Sequence, residues 1–191
     1  MAEVGFLAQA VGFPLSFTAQ ECVEYCGWLK GLPHRDRRRR ARDALGLVRL
    51  ADSAGSRFGS LSGGMRQRVG IAASLVHEPA FWILDEPSVG LDPEQQSFFR
   101  EVVAERSRSS TVLLSTHLFA DVPEPATRVA VLGGGRALFD GTASSLGEGE
   151  GEGEGEGEGE GDGEGVGEGA WRARTERGYE ELLRRELGPA S

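Results

Sequence analysis

Leu61-Ser62-Gly63-Gly64-Met65-Arg66-Gln67-Arg68 and, shortly after it, Phe81-Trp82-Ile83-Leu84-Asp85-Glu86 decide how this chain is read. The first stretch opens a helix that runs to about His77, with apolar Val69, Ile71, Ala72, Ala73, Leu75 and Val76 behind the glycines. Two glycines let a backbone approach a phosphate closely. A helix start offers unpaired N–H groups at the positive end of its dipole. Ser62 adds a hydroxyl. The same three residues also suit a plain turn and cap. The second stretch is a continuous apolar run, the pattern of a strand buried on both faces. It delivers two carboxylates at its end. Magnesium-dependent phosphate chemistry uses that placement, one carboxylate on the metal side and the next against the attacking water. Asp85 is the candidate for the metal and Glu86 for the general base. The competing explanation is a strand end with two solvated acids.

Working outward, residues 4–9 predict a short strand ending at Gln9, whose amide could reach a metal and a water. Residues 18–30 and 35–50 predict two helices separated by Gly31-Leu32-Pro33. The Arg37–Arg40 run would suit an anionic patch, but no aromatic interleaving supports that, and a solvated helix face explains it as well. Beyond Glu86, Ser88-Val89-Gly90-Leu91-Asp92-Pro93 predicts a turn into a helix over 94–108. Thr111–Ser115 predicts a second buried strand, with Ser115-Thr116-His117 at its end. A histidine there points into the crevice where α/β sheets bind ligands. Residues 129–132 and 136–139 predict a strand pair around Gly133-Gly134-Gly135. Strands alternating with helices after residue 80 indicate an α/β sheet.

The net charge of −9 is misleading. From Gly147 to Gly169 glycine alternates with acids, and ten of the 30 acidic residues lie there. The other 20 face 21 basic residues, leaving about +1 for the rest of the chain. The acidity therefore says nothing about the partners of the folded part. The tract has no apolar side chain but Val166, so it is expected to be a disordered linker. Residues 170–187 resume a helical pattern with Trp171, Tyr179, Leu182, Leu183 and Leu187. Cys22 and Cys26, the only cysteines, lack the further His or Cys that a metal site needs. The first residues do not read as a secretory signal, and no apolar run is long enough to span a membrane. A reduced, cytoplasmic setting is expected.

Taken together, the motifs resemble the ATP-binding subunit of ABC transporters, most closely the bacterial multidrug and polysaccharide-export type. Leu61–Arg68 looks like the ABC signature and Phe81–Glu86 like Walker B. Leu91-Asp92 looks like the D-loop, His117 like the switch histidine and Gln9 like the Q-loop glutamine. Asp140-Gly141-Thr142 fits the end of the cassette. The resemblance covers about residues 4–146. It implies a partial P-loop NTPase fold of α/β class over 1–146 with a helical subdomain at about 11–78, then the linker 147–169 and a C-terminal helix in 170–191. It implies ATP and Mg²⁺ as cofactors. Glu86 and His117 would be catalytic. Gln9, Ser62, Gly63, Gly64, Asp85 and Asp92 would bind nucleotide, with Gln9 and Asp85 on the metal. The implied partners are a membrane permease and a second ABC ATPase subunit, with no nucleic acid, which puts the chain peripherally on the membrane.

One part of the pattern is absent. No Gly-x-x-x-x-Gly-Lys-[Ser/Thr] occurs, and Lys30 is the only lysine. That Walker A loop and its lysine supply most of the donors that hold a triphosphate. The chain is therefore expected to be truncated at its front and inactive as an ATPase by itself. A late start, a truncated gene or a degenerate half that lends its signature to an intact ATPase would each account for this. A non-transport ABC protein fits less well: such proteins usually lack the Asp-Glu-Pro-x-x-Gly-Leu-Asp-Pro run, and no sustained heptads mark a coiled coil.

Overall fold

A computed structural model describes residues 3–118, 122, 127–146 and 168–187. Contacts divide the chain into two units, Met1–Pro123 and Glu124–Ser191. Most of the Gly-Glu tract lies outside the described residues.

In the first unit the order is β1 (Val4–Leu7), α1 (Ala19–Leu29), α2 (His34–Leu47), α3 (Gly63–Leu75), β2 (Phe81–Asp85), α4 (Pro93–Arg106) and β3 (Thr111–Ser115), with two short 3-10 turns before α3. The helices begin where the sequence supplies caps. Thr18 accepts from the Glu21 N–H at 3.1 Å, and Glu21 accepts from the Thr18 N–H at 2.7 Å, a reciprocal capping box. Ser62 caps α3 and Asp92 caps α4, with Pro93 at the first helical position. At the end of α2 the chain turns through Arg49 in the left-handed region (φ 54°). Arg68 Nη1 donates to the freed Val48 carbonyl at 3.3 Å.

β1, β2 and β3 form a parallel sheet in that order, with Val4 opposite Phe81 and Phe81 opposite Thr111. One face is covered. Leu7, Trp82 and Leu84 join a core that includes Ile71 and Leu75 of α3 and Phe99 and Val103 of α4. Trp82 is fully buried, and its indole Nε1 donates to Ser74 Oγ at 2.9 Å. β1 and α3 approach so closely that a Cβ on Gly5 would stand 2.5 Å from the Ser74 carbonyl, so only glycine fits. The other face is open. Val4, Phe6, Phe81 and Leu113 are 41, 55, 49 and 63% exposed.

Two expectations need correction. Neither β2 nor β3 is buried on both faces: β2 alternates, and no β3 residue is fully buried. A continuous apolar run records what each face can bury, and here only one face has helices on it. β1 ends at Leu7 rather than Gln9, because its pairing with β2 stops at Leu7–Leu84.

The second unit holds the antiparallel pair β4 (Val129–Gly133) and β5 (Arg136–Gly141), with Gly134 and Gly135 at positive φ in the turn. α5 (Ala143–Leu146) and α6 (Glu168–Leu187) follow. They pack on each other, and the buried Thr175 hydroxyl donates to the Ala143 carbonyl at 3.4 Å. The expected strand pair and terminal helix are both present.

Candidate nucleotide-facing site

Because the three strands are parallel, their C-terminal ends lie at one sheet edge. Gln9, Asp85-Glu86 and Thr116-His117 all leave from that edge. Ser115 Oγ donates to Asp85 Oδ1 at 2.7 Å, and the Glu86 N–H donates to the Ser115 carbonyl at 3.0 Å. These two bonds tie the end of β2 to the end of β3. Glu86 turns away from the strand with φ 47°, a left-handed conformation that is costly for a residue with a Cβ. The turn brings its Oε2 within 2.8 Å of His117 Nδ1. The Glu86 side chain is 20% exposed and that of His117 66%. A carboxylate only accepts, so Nδ1 carries the proton of this bond. A carboxylate partnered in this way can receive a proton from water, and a ring that also carries a proton on Nε2 can donate it to an oxyanion.

Ser62, Gly63 and Gly64 open α3. Ser62 Oγ accepts from the Met65 N–H at 3.3 Å, so its hydroxyl oxygen caps the helix. A Cβ on Gly63 would meet nothing within 4 Å, and its backbone is open to a ligand. Gly64 differs. The Gln95 carboxamide of α4 occupies the space a side chain there would need. The buried Gln67 amide donates to the Pro87 carbonyl at 3.0 Å. Two glutamines thus hold the start of α3 against the segment that follows Glu86. Asp92 accepts from the Gln95 N–H at 2.9 Å as the cap of α4. Gln9 is exposed, two residues beyond β1.

Asp85 and Gln9 offer a carboxylate and an amide oxygen at one edge. This hard-oxygen set suits Mg²⁺, which takes one or two protein ligands and completes its shell with phosphate and water. Among the described residues no group of three His, Cys, Asp or Glu stands together to form a metal cage. Lys30 does not serve this edge. Its Nζ donates at 3.0 Å to the carbonyl of Val4, at the opposite end of β1. Sequence reasoning named the acids, the histidine and the glycines but missed Gln67, Gln95 and the role of Ser115. Ser115 sat in a noted motif. Nothing in the sequence marks Gln95, because its partner is a missing Cβ.

The comparisons with known proteins point to one family. Residues 1–89 match the ABC transporter family profile. An uncharacterised ABC transporter ATP-binding protein of Bacillus subtilis, YxlF, is 34% identical over 143 residues, 75% of this chain and 48% of that protein. The daunorubicin resistance ATP-binding protein DrrA2 of Streptomyces coeruleorubidus is 35% identical over 146 residues, 76% and 45% of the two chains. A solved inward-facing structure of a metal-chelate type ABC transporter superposes with a TM-score of 0.65 at 26% identity, covering 74% of this chain and 59% of that one. The chain spans about half the length of the curated relatives it matches. Motifs, fold and relatives together place this chain among the ABC transporter ATP-binding proteins.

Proposed function

We propose that the chain works as the ATP-binding and ATP-hydrolysing component of an ABC exporter, driving a separate membrane permease together with a second ATPase subunit. The observation that carries this is the Glu86–His117 pair at the C-terminal edge of the parallel sheet. Glu86 accepts the proton of the attacking water. His117 orients the carboxylate through Nδ1–H and donates to the terminal phosphate through a protonated Nε2. Asp85 and Gln9 would hold Mg²⁺, which would offset charge on the phosphates. The Gly63 backbone and Ser62 face ATP held by the partner subunit, near Asp92. Relatives named for drug resistance support the export direction. Among the described residues no helix is long and apolar enough to cross a membrane, which fits a component that meets the membrane through its permease. The cassette is read as 1–146, with about 11–78 as its helical subdomain and about 11–60 as the segment that meets the permease.

The second reading is a non-catalytic partner that lends only its signature. The absence of a Gly-x-x-x-x-Gly-Lys-[Ser/Thr] stretch in these residues favours it for the isolated chain. Phosphate release settles the choice. The purified chain alone should show no turnover. Mixed with an intact ABC ATPase whose own signature serine is mutated, it should restore hydrolysis, and Ser62→Ala should remove the effect. Multiple turnovers by the chain alone would refute the dependence on a partner. No rescue in the mixture would refute the lent signature.

A further inference from the structure

Arg66, Gln67 and Arg68 follow one another on α3, and each gives a side-chain donor to a loop carbonyl. Arg66 donates to Phe58 at 3.1 Å and to Gly59 at 2.8 Å, and Arg68 donates to Val48 at 3.3 Å. The two arginines thus tie α3 to the segment that precedes it. Gln67 reaches the other way, to the carbonyl of Pro87 at 3.0 Å, directly after Glu86. It is only 7% exposed although it carries a primary amide. Burying such a group is costly unless it is bonded. Pro87 lies in a turn between β2 and α4, so no ladder serves its carbonyl. One bond therefore satisfies both groups.

We propose that Gln67 is a positioning residue for the Glu86–His117 pair: by holding the Pro87 carbonyl it keeps Glu86 in the left-handed turn that seats its carboxylate on His117. The backbone around Glu86 is anchored on both sides. Its N–H is held by the Ser115 carbonyl at 3.0 Å, and the next carbonyl is held by Gln67. The φ of 47° lies between these two anchors. A residue with a Cβ keeps such a conformation only where its surroundings over-determine it. The carboxylate, 2.8 Å from His117 Nδ1, depends on that turn. Gln67 acts only through Glu86. The inference rests on the reading of Glu86 and His117 as the hydrolytic pair, and it gives the signature helix a direct hold on the base of the same chain.

Heteronuclear NMR of the full chain with isotope-labelled histidine tests the assignment, because it reports which ring nitrogen carries the proton. His117→Gln identifies the ring signals. In buffer alkaline enough for imidazole rings to carry one proton, the unmodified chain should hold it on Nδ1. Gln67→Met keeps the side-chain length and removes the donor. It should raise the fraction protonated on Nε2 about fivefold, the factor that one ordinary hydrogen bond sets. Arg68→Met removes a loop-carbonyl bond from the same helix and should leave the ring unchanged. Hydrogen exchange needs no variant. In the unmodified chain the Gln67 amide protons should exchange together with the Glu86 N–H, both far more slowly than in a free peptide. An unmoved His117 in folded Gln67→Met, an equal movement in Arg68→Met, or Gln67 protons exchanging at the free-peptide rate would each overturn the proposal. A proton on Nε2 in the unmodified chain would instead remove the Glu86–His117 pair itself, and the proposal with it.

Discussion

Glu86 combines a candidate role in chemistry with a strained backbone. At φ 47° a Cβ costs roughly 1–2 kcal/mol, while glycine is at ease. Glu86→Gly should therefore melt higher than Glu86→Ala, although both lose the bond to His117; calorimetric midpoints compare them. His77 is a second residue with a measurable signature. Its Nε2 lies 3.1 Å from the Val4 carbonyl, which also accepts from Lys30, and its buried Nδ1 has no partner among the described residues. A carbonyl only accepts, so Nε2 carries the proton of this bond. Burial, with the nearby Lys30 charge, pushes the His77 pKa below the usual 6.5 against the pull of the Val4 bond. The unfolded chain then takes up the proton first. This contribution to stability is complete above about pH 6.5 and is lost as pH falls through the lower folded value. His77→Gln should flatten that part of the stability profile; an unchanged acid slope in denaturant titrations would contradict the assignment.

At the scale of elements, caps test which roles are structural. Asp92 caps α4 and is also a nucleotide-site candidate, and one pair of substitutions separates the two roles. Asp92→Ala should lose about 1 kcal/mol in urea unfolding, whereas Asp92→Asn, which keeps an accepting oxygen, should lose little. A fall in partner-dependent turnover with Asp92→Asn would then report on function alone. The elements themselves were largely legible. Thr18-x-x-Glu21, Ser62 and Asp92-Pro93 announce helices in plain chemistry, and Phe81–Leu84 and Thr111–Ser115 announce strands. What the sequence could not show is which strand faces would be covered, because apolar character measures capacity to be buried and not the presence of a neighbour. The left-handed turn at Glu86 was equally hidden, since it follows from the pull of Ser115 and His117 across the sheet and not from a local turn residue.

Within the first unit as a whole, the open sheet face dominates behaviour in solution. Val4, Phe6, Phe81 and Leu113 form an exposed apolar stripe across all three strands. Such patches drive association. Leu113→Gln should raise the concentration at which light scattering appears and leave the unfolding midpoint within about 0.5 kcal/mol, because the side chain is already exposed. The covered face should behave in the opposite way. Trp82→Ala should cost about 3–5 kcal/mol by emptying the core above Ser74. The parallel register also sets a clock on synthesis. Val4 pairs with Phe81, 77 positions later, while β2 and β3 are 30 positions apart. At roughly 5–20 residues per second, β1 waits on the order of 4–15 seconds for its partner strand to be made. The α1–α2–α3 segment is complete before β2 exists and can pack in that interval, since its contacts are closer in sequence. β1 is thus made before its partner strand and seated late, and for those seconds the nascent chain carries Val4 and Phe6 unpaired.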